Sequence, residues 1–292
     1  MIEIPHRLRC SVEQDIDPSR HAWLARLPEQ IAQLTVSWSL VVGEPLLPGG
    51  QCAWVAPARD RAGHELVLKL GWRHPEAEHE ADALRLWDGD GAVRCVAEGI
   101  SEDTIALLLE RCLPGTPLKS ALPEPDQDVV LTALLRRLWG RQPPAGHPFR
   151  PLQVICDAWA DSFERDFETD DGGLAPALAG DAIALLHELP RNASPSVLLC
   201  TDLHAENVLA AEREPWLAID PKPFIGDPAF DAIQHMLNCR GRLASDPPAL
   251  ARRMADLLEL DSERVELWLF ARCAQEALND PTMRAIAALL AP

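Results

Sequence analysis

The sequence predicts an α+β fold in two parts: a small antiparallel sheet carrying one helix, then a larger, mostly helical part. Three observations predict it. β-rich runs separated by turn residues crowd the first third of the chain. The segment Leu113-Pro114-Gly115-Thr116-Pro117 then reads as a hinge, because each Pro restricts itself and its predecessor while Gly relaxes the chain between them. Beyond it, apolar residues recur at three- and four-residue spacing through most of the remaining chain. The division is placed at residues 1–112 and 113–292.

In the first part, residues 35–42 are rich in β-branched and aromatic types and read as a strand. Pro48-Gly49-Gly50 ends that run, and a second strand starts near Cys52. A polar turn over 59–63 leads into Glu65-Leu66-Val67-Leu68-Lys69-Leu70, completing a hairpin. Pro75 opens a helical stretch over 76–87 that Gly89-Asp90-Gly91 closes. Residues 93–97 and 104–110 supply two more strands. In the second part, helical periodicity runs over 129–139, 152–167, 175–189, 228–239, 249–258, 262–278 and 282–290. Two short apolar runs, 197–200 and 216–219, are strand-like, and each leads to an Asp.

Composition narrows the function. The chain has 292 residues, with 27 Lys and Arg against 45 Asp and Glu, a net charge of −18. That balance argues against a nucleic-acid partner, which requires clustered cations, and suits a cationic ligand. No apolar run is long enough for a membrane span, and Met-Ile-Glu-Ile-Pro-His lacks the pattern of a secretory signal. The eight cysteines form no C-x-x-C pair and read as reduced core thiols of a cytoplasmic protein. No heptad marks an assembly face, and a monomer or weak dimer is expected.

The chemistry concentrates in C-T-D-L-H-A-E-N-V-L and, after a turn, W-L-A-I-D-P-K-P-F-I-G-D-P-A-F-D. Asp202 and Asn207 are spaced D-x4-N, and Asp220 ends the following strand. Phosphoryl transfer from a nucleotide needs these parts: a carboxylate to orient the attacking hydroxyl, then an amide oxygen and a second carboxylate to hold magnesium. Upstream, Lys69 closes an apolar strand, where its amine can reach nucleotide phosphates. Glu76 or Glu80, one turn apart, can hold that amine, with Glu80 preferred as the deeper in the helix. Gly49 and Gly50 can cover the phosphates as a turn, although the segment is neither G-x-G-x-x-G nor a Walker A sequence. His204 either touches the acceptor or braces the loop. Lys222 either neutralises charge near phosphate or is a surface lysine. Asp227 and Asp231 are expected to cap a helix and support the loop. Trp159, with Asp157 and Asp161, is either a plate beside an acceptor or part of a core helix.

Together V-L-K-L, H-E-A-D-A-L, L-L-L-E-R, C-T-D-L-H-A-E-N-V-L and I-D-P-K-P-F-I-G-D-P-A-F-D resemble the aminoglycoside O-phosphotransferases, more narrowly their aminoglycoside/hydroxyurea branch. The resemblance spans about residues 43–278. It implies a two-lobed, protein-kinase-like fold and transfer of the γ-phosphate of ATP to a hydroxyl of a small, often cationic molecule, a streptomycin-type aminoglycoside being favoured. It implies Asp202 as catalytic base, Asn207 and Asp220 as Mg2+ ligands, and Lys69 as the phosphate-binding lysine. Glu110, Arg111 and Cys112 would face adenine through backbone groups. The chain departs from the commoner pattern in carrying Cys200-Thr201-Asp202 where many relatives have His-Gly-Asp, and Glu206 where a small residue is usual. The extra carboxylate bears either on the metal or on a cationic acceptor.

Other readings are a metal-dependent hydrolase using Asp202, His204 and Asp220, a kinase of hydroxyurea or an unrelated metabolite, and a kinase-fold binding protein without turnover. The hydrolase leaves Lys69 and Asn207 without a role. The binding protein gives no physical reason to keep Lys69, Asp202, Asn207 and Asp220 together.

Overall fold

The computed structural model describes residues 2–292, with the side chain of Glu76 outside the described residues. The chain divides into two compact units. The first comprises residues 1–115 and 211–213, and the second residues 116–210 and 214–292.

The first unit begins with helices α1 (His6–Glu13) and α2 (Pro18–Ser37), and Asp17 caps α2 by accepting from the Ser19 amide. Strands β1 (Val41–Val42), β2 (Ala53–Arg59) and β3 (Glu65–Trp72) follow, then a short 3-10 turn over Pro75–Ala77 and helix α3 (Glu80–Trp87). Strands β4 (Cys95–Ile100) and β5 (Thr104–Glu110) complete an antiparallel sheet in the order β1-β2-β3-β5-β4. The β2–β3 hairpin pairs Arg59 with Glu65 and Val55 with Lys69, so β3 lies centrally between β2 and β5. Period-two alternation puts Leu66, Leu68 and Leu70 into a core with Trp54, Trp23, Leu27 and Ile31, and turns Lys69 to the opposite face. Each such large apolar side chain contributes about 1.5–3 kcal/mol by leaving water.

Two expectations are corrected here. Residues 35–42 are not one strand: α2 runs through Ser37, and only Val41–Val42 pair with β2. The β-branched residues stay helical because Leu27 and Ile31 bury the helix face, and Thr35 bonds back to the Ile31 carbonyl at 2.7 Å. The helix expected over 76–87 is broken at His79, whose φ of 69° is left-handed, so α3 starts at Glu80. The unit thus carries α1 and α2 in addition to the expected helix.

The second unit contains α4 (Leu118–Ala121), α5 (Glu124–Trp139), β6 (Arg150–Pro151), α6 (Leu152–Thr169), α7 (Pro176–Glu188), β7 (Val197–Leu199), β8 (Val208–Ala210), β9 (Trp216–Ala218), β10 (Phe224–Gly226), α8 (Pro228–Asn238), α9 (Arg240–Ser245), α10 (Pro247–Leu258), α11 (Ser262–Glu276) and α12 (Pro281–Leu290). β10 pairs in parallel with β6 and antiparallel with β7, while β8 and β9 form a separate hairpin. Asp227, Asp246, Asp261 and Asp280 cap α8, α10, α11 and α12. Trp268 packs edge-on against Phe230, with ring centroids 5.1 Å apart, and donates to Asp227 at 2.6 Å.

Gly226 lies where β10 meets α6, and a Cβ there would stand 2.5 Å from Leu152 Cβ. Gly226→Ala is expected to cost about 1–3 kcal/mol, seen as a lower thermal midpoint. An unchanged midpoint would show that β10 and α6 separate freely. Five cysteines are buried, and Cys10, Cys52 and Cys95 are only partly so. Among the described residues no helix is long and apolar enough to cross a membrane.

Candidate active site

In the first unit the central strand and the inserted helix place one ion pair. Lys69 Nζ donates to both oxygens of Glu80, at 2.8 and 2.6 Å. The two side chains are 13% and 5% exposed, so the pair is shielded from water. Glu80 owes its position to the first turn of α3, where the helix N-terminus favours a carboxylate.

Gly49 and Gly50 lie between β1 and β2. Gly49 has a φ of 84°, and a Cβ there would come within 2.7 Å of Pro5. Glycine is needed at that position on both counts. The strand-end residues Glu110 and Arg111 are committed to their own unit. Arg111 donates to Glu65 at 2.5 Å, and Glu110 takes Arg213 at 2.8 and 3.0 Å together with the Arg94 amide. Burial opposes the charge on Glu110, but Arg213 and that amide outweigh it and hold the carboxyl below its usual range. Arg213 also donates to the carbonyls of Gly89 and Ala92. Cys112 is buried, and burial pushes its thiol up to about 11.

In the second unit the residues between β7 and β10 form a tied set. Asp202 lies three residues past the end of β7, and Lys222 Nζ donates to its Oδ2 at 2.6 Å. His204 Nε2 stands 3.8 Å from Asp202 Oδ1, while its Nδ1 accepts from the Glu206 amide at 3.4 Å. That ring therefore braces the loop. Asn207 turns its Nδ2 to the Asp202 carbonyl at 3.0 Å, and its own carbonyl accepts from Ile219, the residue before Asp220. Thr201 and Asp220 both have left-handed φ values, 52° and 54°, outside the preferred region for their side chains.

The conformation at Thr201 is held by Asp231. It accepts from the Cys200 and Thr201 amides at 2.9 and 2.7 Å and from Trp139 Nε1 at 2.9 Å. Thr201 Oγ1 bonds the Lys222 carbonyl, and the Lys222 amide bonds the Cys200 carbonyl at 2.9 Å. Asp227 caps α8 and takes Arg264 at 2.6 Å. Trp159 has Phe230 stacked at 6.0 Å and the Arg272 guanidinium at 4.3 Å, and Asp157 is engaged by His187 at 2.6 Å. The plate is therefore filled by groups of the chain itself.

Sequence reasoning missed five partners: Arg213 on Glu110, Lys119 on Glu206, and His235, Arg242 and Arg253 around the fully buried Asp128. Each pairing joins residues at least 87 positions apart, which no spacing rule can signal. Among the described residues no group of three or more His, Cys, Asp or Glu is placed to hold a metal ion.

The sheet with its Lys–Glu pair, followed by a helical unit carrying Asp-x4-Asn and a strand-terminal Asp, defines a protein-kinase-like fold. The solved structure of the aminoglycoside phosphotransferase APH(3'')-Id from Streptomyces rimosus, in complex with ADP and streptomycin, superposes with a TM-score of 0.55 at 17% identity, covering 87% of this chain and 99% of that one. Two relatives are closer in sequence. Streptomycin 6-kinase of Streptomyces griseus is 34% identical over 96% of this chain and 91% of its own length. Hydroxyurea phosphotransferase of Kitasatospora aureofaciens is 37% identical over 86% and 72%. Residues 38–280 match the family described as aminoglycoside/hydroxyurea antibiotic resistance kinase. The chain belongs to that family and is a small-molecule kinase, a phosphotransferase with an alcohol group as acceptor. The hydrolase reading is thereby set aside.

Proposed function

We propose that the chain transfers the γ-phosphate of ATP, in the presence of Mg2+, to a hydroxyl of a small cationic acceptor of the streptomycin type. The supporting observation is the tied set in the second unit: Lys222 on Asp202, Asn207 bonded to the Asp202 carbonyl, and Asp220 next to the residue that bonds Asn207. Residues 1–112 would cover the nucleotide and residues 113–292 would supply the catalytic loop and acceptor site.

Asn207 and Asp220 fit magnesium. Because Asn207 Nδ2 is taken by the Asp202 carbonyl, the remaining side-chain atom is an oxygen, and Asp220 adds a carboxylate; Mg2+ prefers such ligands. Magnesium there would neutralise charge on the phosphate oxygens. Asp202 orients the acceptor hydroxyl. The hydroxyl oxygen bonds to the γ-phosphorus, the bond from phosphorus to the bridging oxygen breaks, ADP departs, and the hydroxyl proton passes to the Asp202 carboxylate. Lys222 fixes Oδ2 of that carboxylate, which leaves Oδ1 for the acceptor. Lys69, held by Glu80, would bind the α- and β-phosphates. Gly49 and Gly50 would lie over the phosphates, and Glu110 to Cys112 would meet adenine through backbone groups.

The test is ATP consumption against streptomycin, other aminoglycosides and hydroxyurea, with and without Mg2+. Consumption with none of them, and no magnesium-dependent thermal stabilisation by ATP, would overturn the reading. Lys69→Ala is expected to raise KM for ATP by about 10–100-fold, the equivalent of one charge-assisted contact. Glu80→Gln should produce a smaller shift in the same direction. An unchanged KM in both would remove Lys69 from the nucleotide site.

A further inference from the structure

The segment ahead of the sheet reaches the glycine turn between β1 and β2 at three points. Pro5 is buried, and a Cβ on Gly49 would stand 2.7 Å from its Cβ. Trp54, the second residue of β2, donates its Nε1 to the Glu3 carbonyl at 2.9 Å. Arg20, in the first turn of α2, donates its Nη2 to the Gln51 carbonyl at 2.8 Å.

Arg20 is the informative member of the three. It is 7% exposed, and burying a guanidinium is unfavourable unless its donors are met. Its Nη1 donates to Asp15 at 2.5 Å, and Nη2 is shared between the Ser11 hydroxyl at 2.9 Å and the Gln51 carbonyl. Cys52 Sγ stands 3.6 Å from Nη2, and the Trp72 ring centroid lies 5.5 Å from the guanidinium carbon. Asp15 and Ser11 thus hold the group from the helical side, while the Gln51 and Cys52 contacts fall on the turn.

Attaching α2 to the sheet does not require that contact. Trp23, Leu27 and Ile31 already pack with Leu66, Leu68 and Leu70. An apolar residue at position 20 would add to that core without desolvating a charge. A planar donor fork held at one end does something an apolar residue cannot: it fixes the direction of a backbone carbonyl at its other end. The hold comes from the sheet face opposite Lys69, because Trp72 shares the alternation of Leu66, Leu68 and Leu70. Arg20 therefore grips the turn from behind, without occupying the Lys69 face.

We propose that Arg20 is a positioning residue for the nucleotide: by fixing the Gln51 carbonyl it keeps the Gly49–Gly50 turn in the geometry that meets the ATP phosphates. The inference rests on the kinase reading, in which Lys69 and that turn form the phosphate site. A turn kept in one geometry binds at its intrinsic affinity, whereas one that samples several loses affinity in proportion to the time spent elsewhere.

The experiment compares Arg20→Lys with Leu27→Ala in the full-length protein. Lysine keeps a cation beside Asp15 but has no fork to reach Asp15 and Gln51 together. Leu27→Ala loosens the same helix within its apolar core, away from the turn. Arg20→Lys is expected to raise KM for ATP roughly three- to tenfold, as for loss of one hydrogen bond. Its kcat should stay within about twofold, because the chemical step is untouched. The inhibition constant of adenosine, which carries no phosphate, should not move. Amide hydrogen exchange over residues 46–56 should quicken in Arg20→Lys and not in Leu27→Ala. Leu27→Ala should lower the thermal midpoint and keep KM. The inference is overturned if Arg20→Lys leaves either KM for ATP or the exchange of the turn at its wild-type value. It is also overturned if adenosine weakens in parallel with ATP, or if Leu27→Ala raises KM equally, since either makes Arg20 a stability residue. If Lys69→Ala raises KM and Arg20→Lys does not, the phosphate site stands and the positioning role fails. If neither variant changes KM, both fail together.

Discussion

Asp202→Asn is expected to lower kcat by roughly 10²–10⁴-fold, the range a positioned general base contributes. The amide keeps the shape of the carboxylate but cannot accept the hydroxyl proton, and it replaces the anion to which Lys222 donates. ATP binding should persist, because the proposed phosphate and metal contacts lie on Lys69, Asn207 and Asp220. Steady-state kinetics with the best acceptor, paired with calorimetric ATP binding, separates the two effects. A kcat within tenfold of wild type would remove Asp202 from the reaction. Loss of ATP binding together with kcat would make it a structural residue.

Asp128→Ala should have the largest effect on stability. The carboxylate is fully buried and receives Arg242 at 3.0 and 2.8 Å, Arg253 at 2.7 Å and His235 at 3.3 Å. Removing one member of a buried ionic group leaves uncompensated charge, at a cost of about 3–5 kcal/mol. For a chain of this size, that corresponds to a fall of roughly 5–10 °C in thermal midpoint.

The pH dependence follows from the same contacts. Burial opposes the charge on Asp128, yet the bonds from His235, Arg242 and Arg253 outweigh it and hold the carboxyl well below the usual range. A carboxyl lowered on folding contributes stability above its unfolded pKa of about 3.9 and loses it as pH falls further. Acid unfolding below about pH 4 should therefore be shallower in Asp128→Ala than in wild type. Equal midpoints at neutral pH would show that the arginines find water without loss.

The second unit was legible because its helices carry long apolar periods with Asp caps. The helix expected over 262–278 is Ser262–Glu276, and that over 228–239 is Pro228–Asn238. α9 was not legible: six residues with one buried Leu carry no period. The first unit was harder to read. In α2, tertiary burial of Trp23, Leu27 and Ile31 overrides the β propensity of residues 35–36, and at His79 a left-handed residue splits an otherwise continuous helical pattern. Candidate site residues close together in sequence could be found, because D-x4-N is a local spacing. The Lys69–Glu80 pair was readable for a similar reason, its members being only 11 positions apart. Lys119 on Glu206 was not, because 87 positions separate them.

The tip of the β8–β9 hairpin bears on how the chain is made. Residues 211–213 belong to the first compact unit although almost a hundred residues of the second precede them. During synthesis, residues 1–115 leave the ribosome with Glu110 still lacking the guanidinium that clasps it and with the Gly89 and Ala92 carbonyls still lacking theirs. The first-made unit is therefore finished only after the segment from Asp202 to Asn207 has emerged. A fragment cut at the apparent boundary would be missing an arginine that its own interior requires.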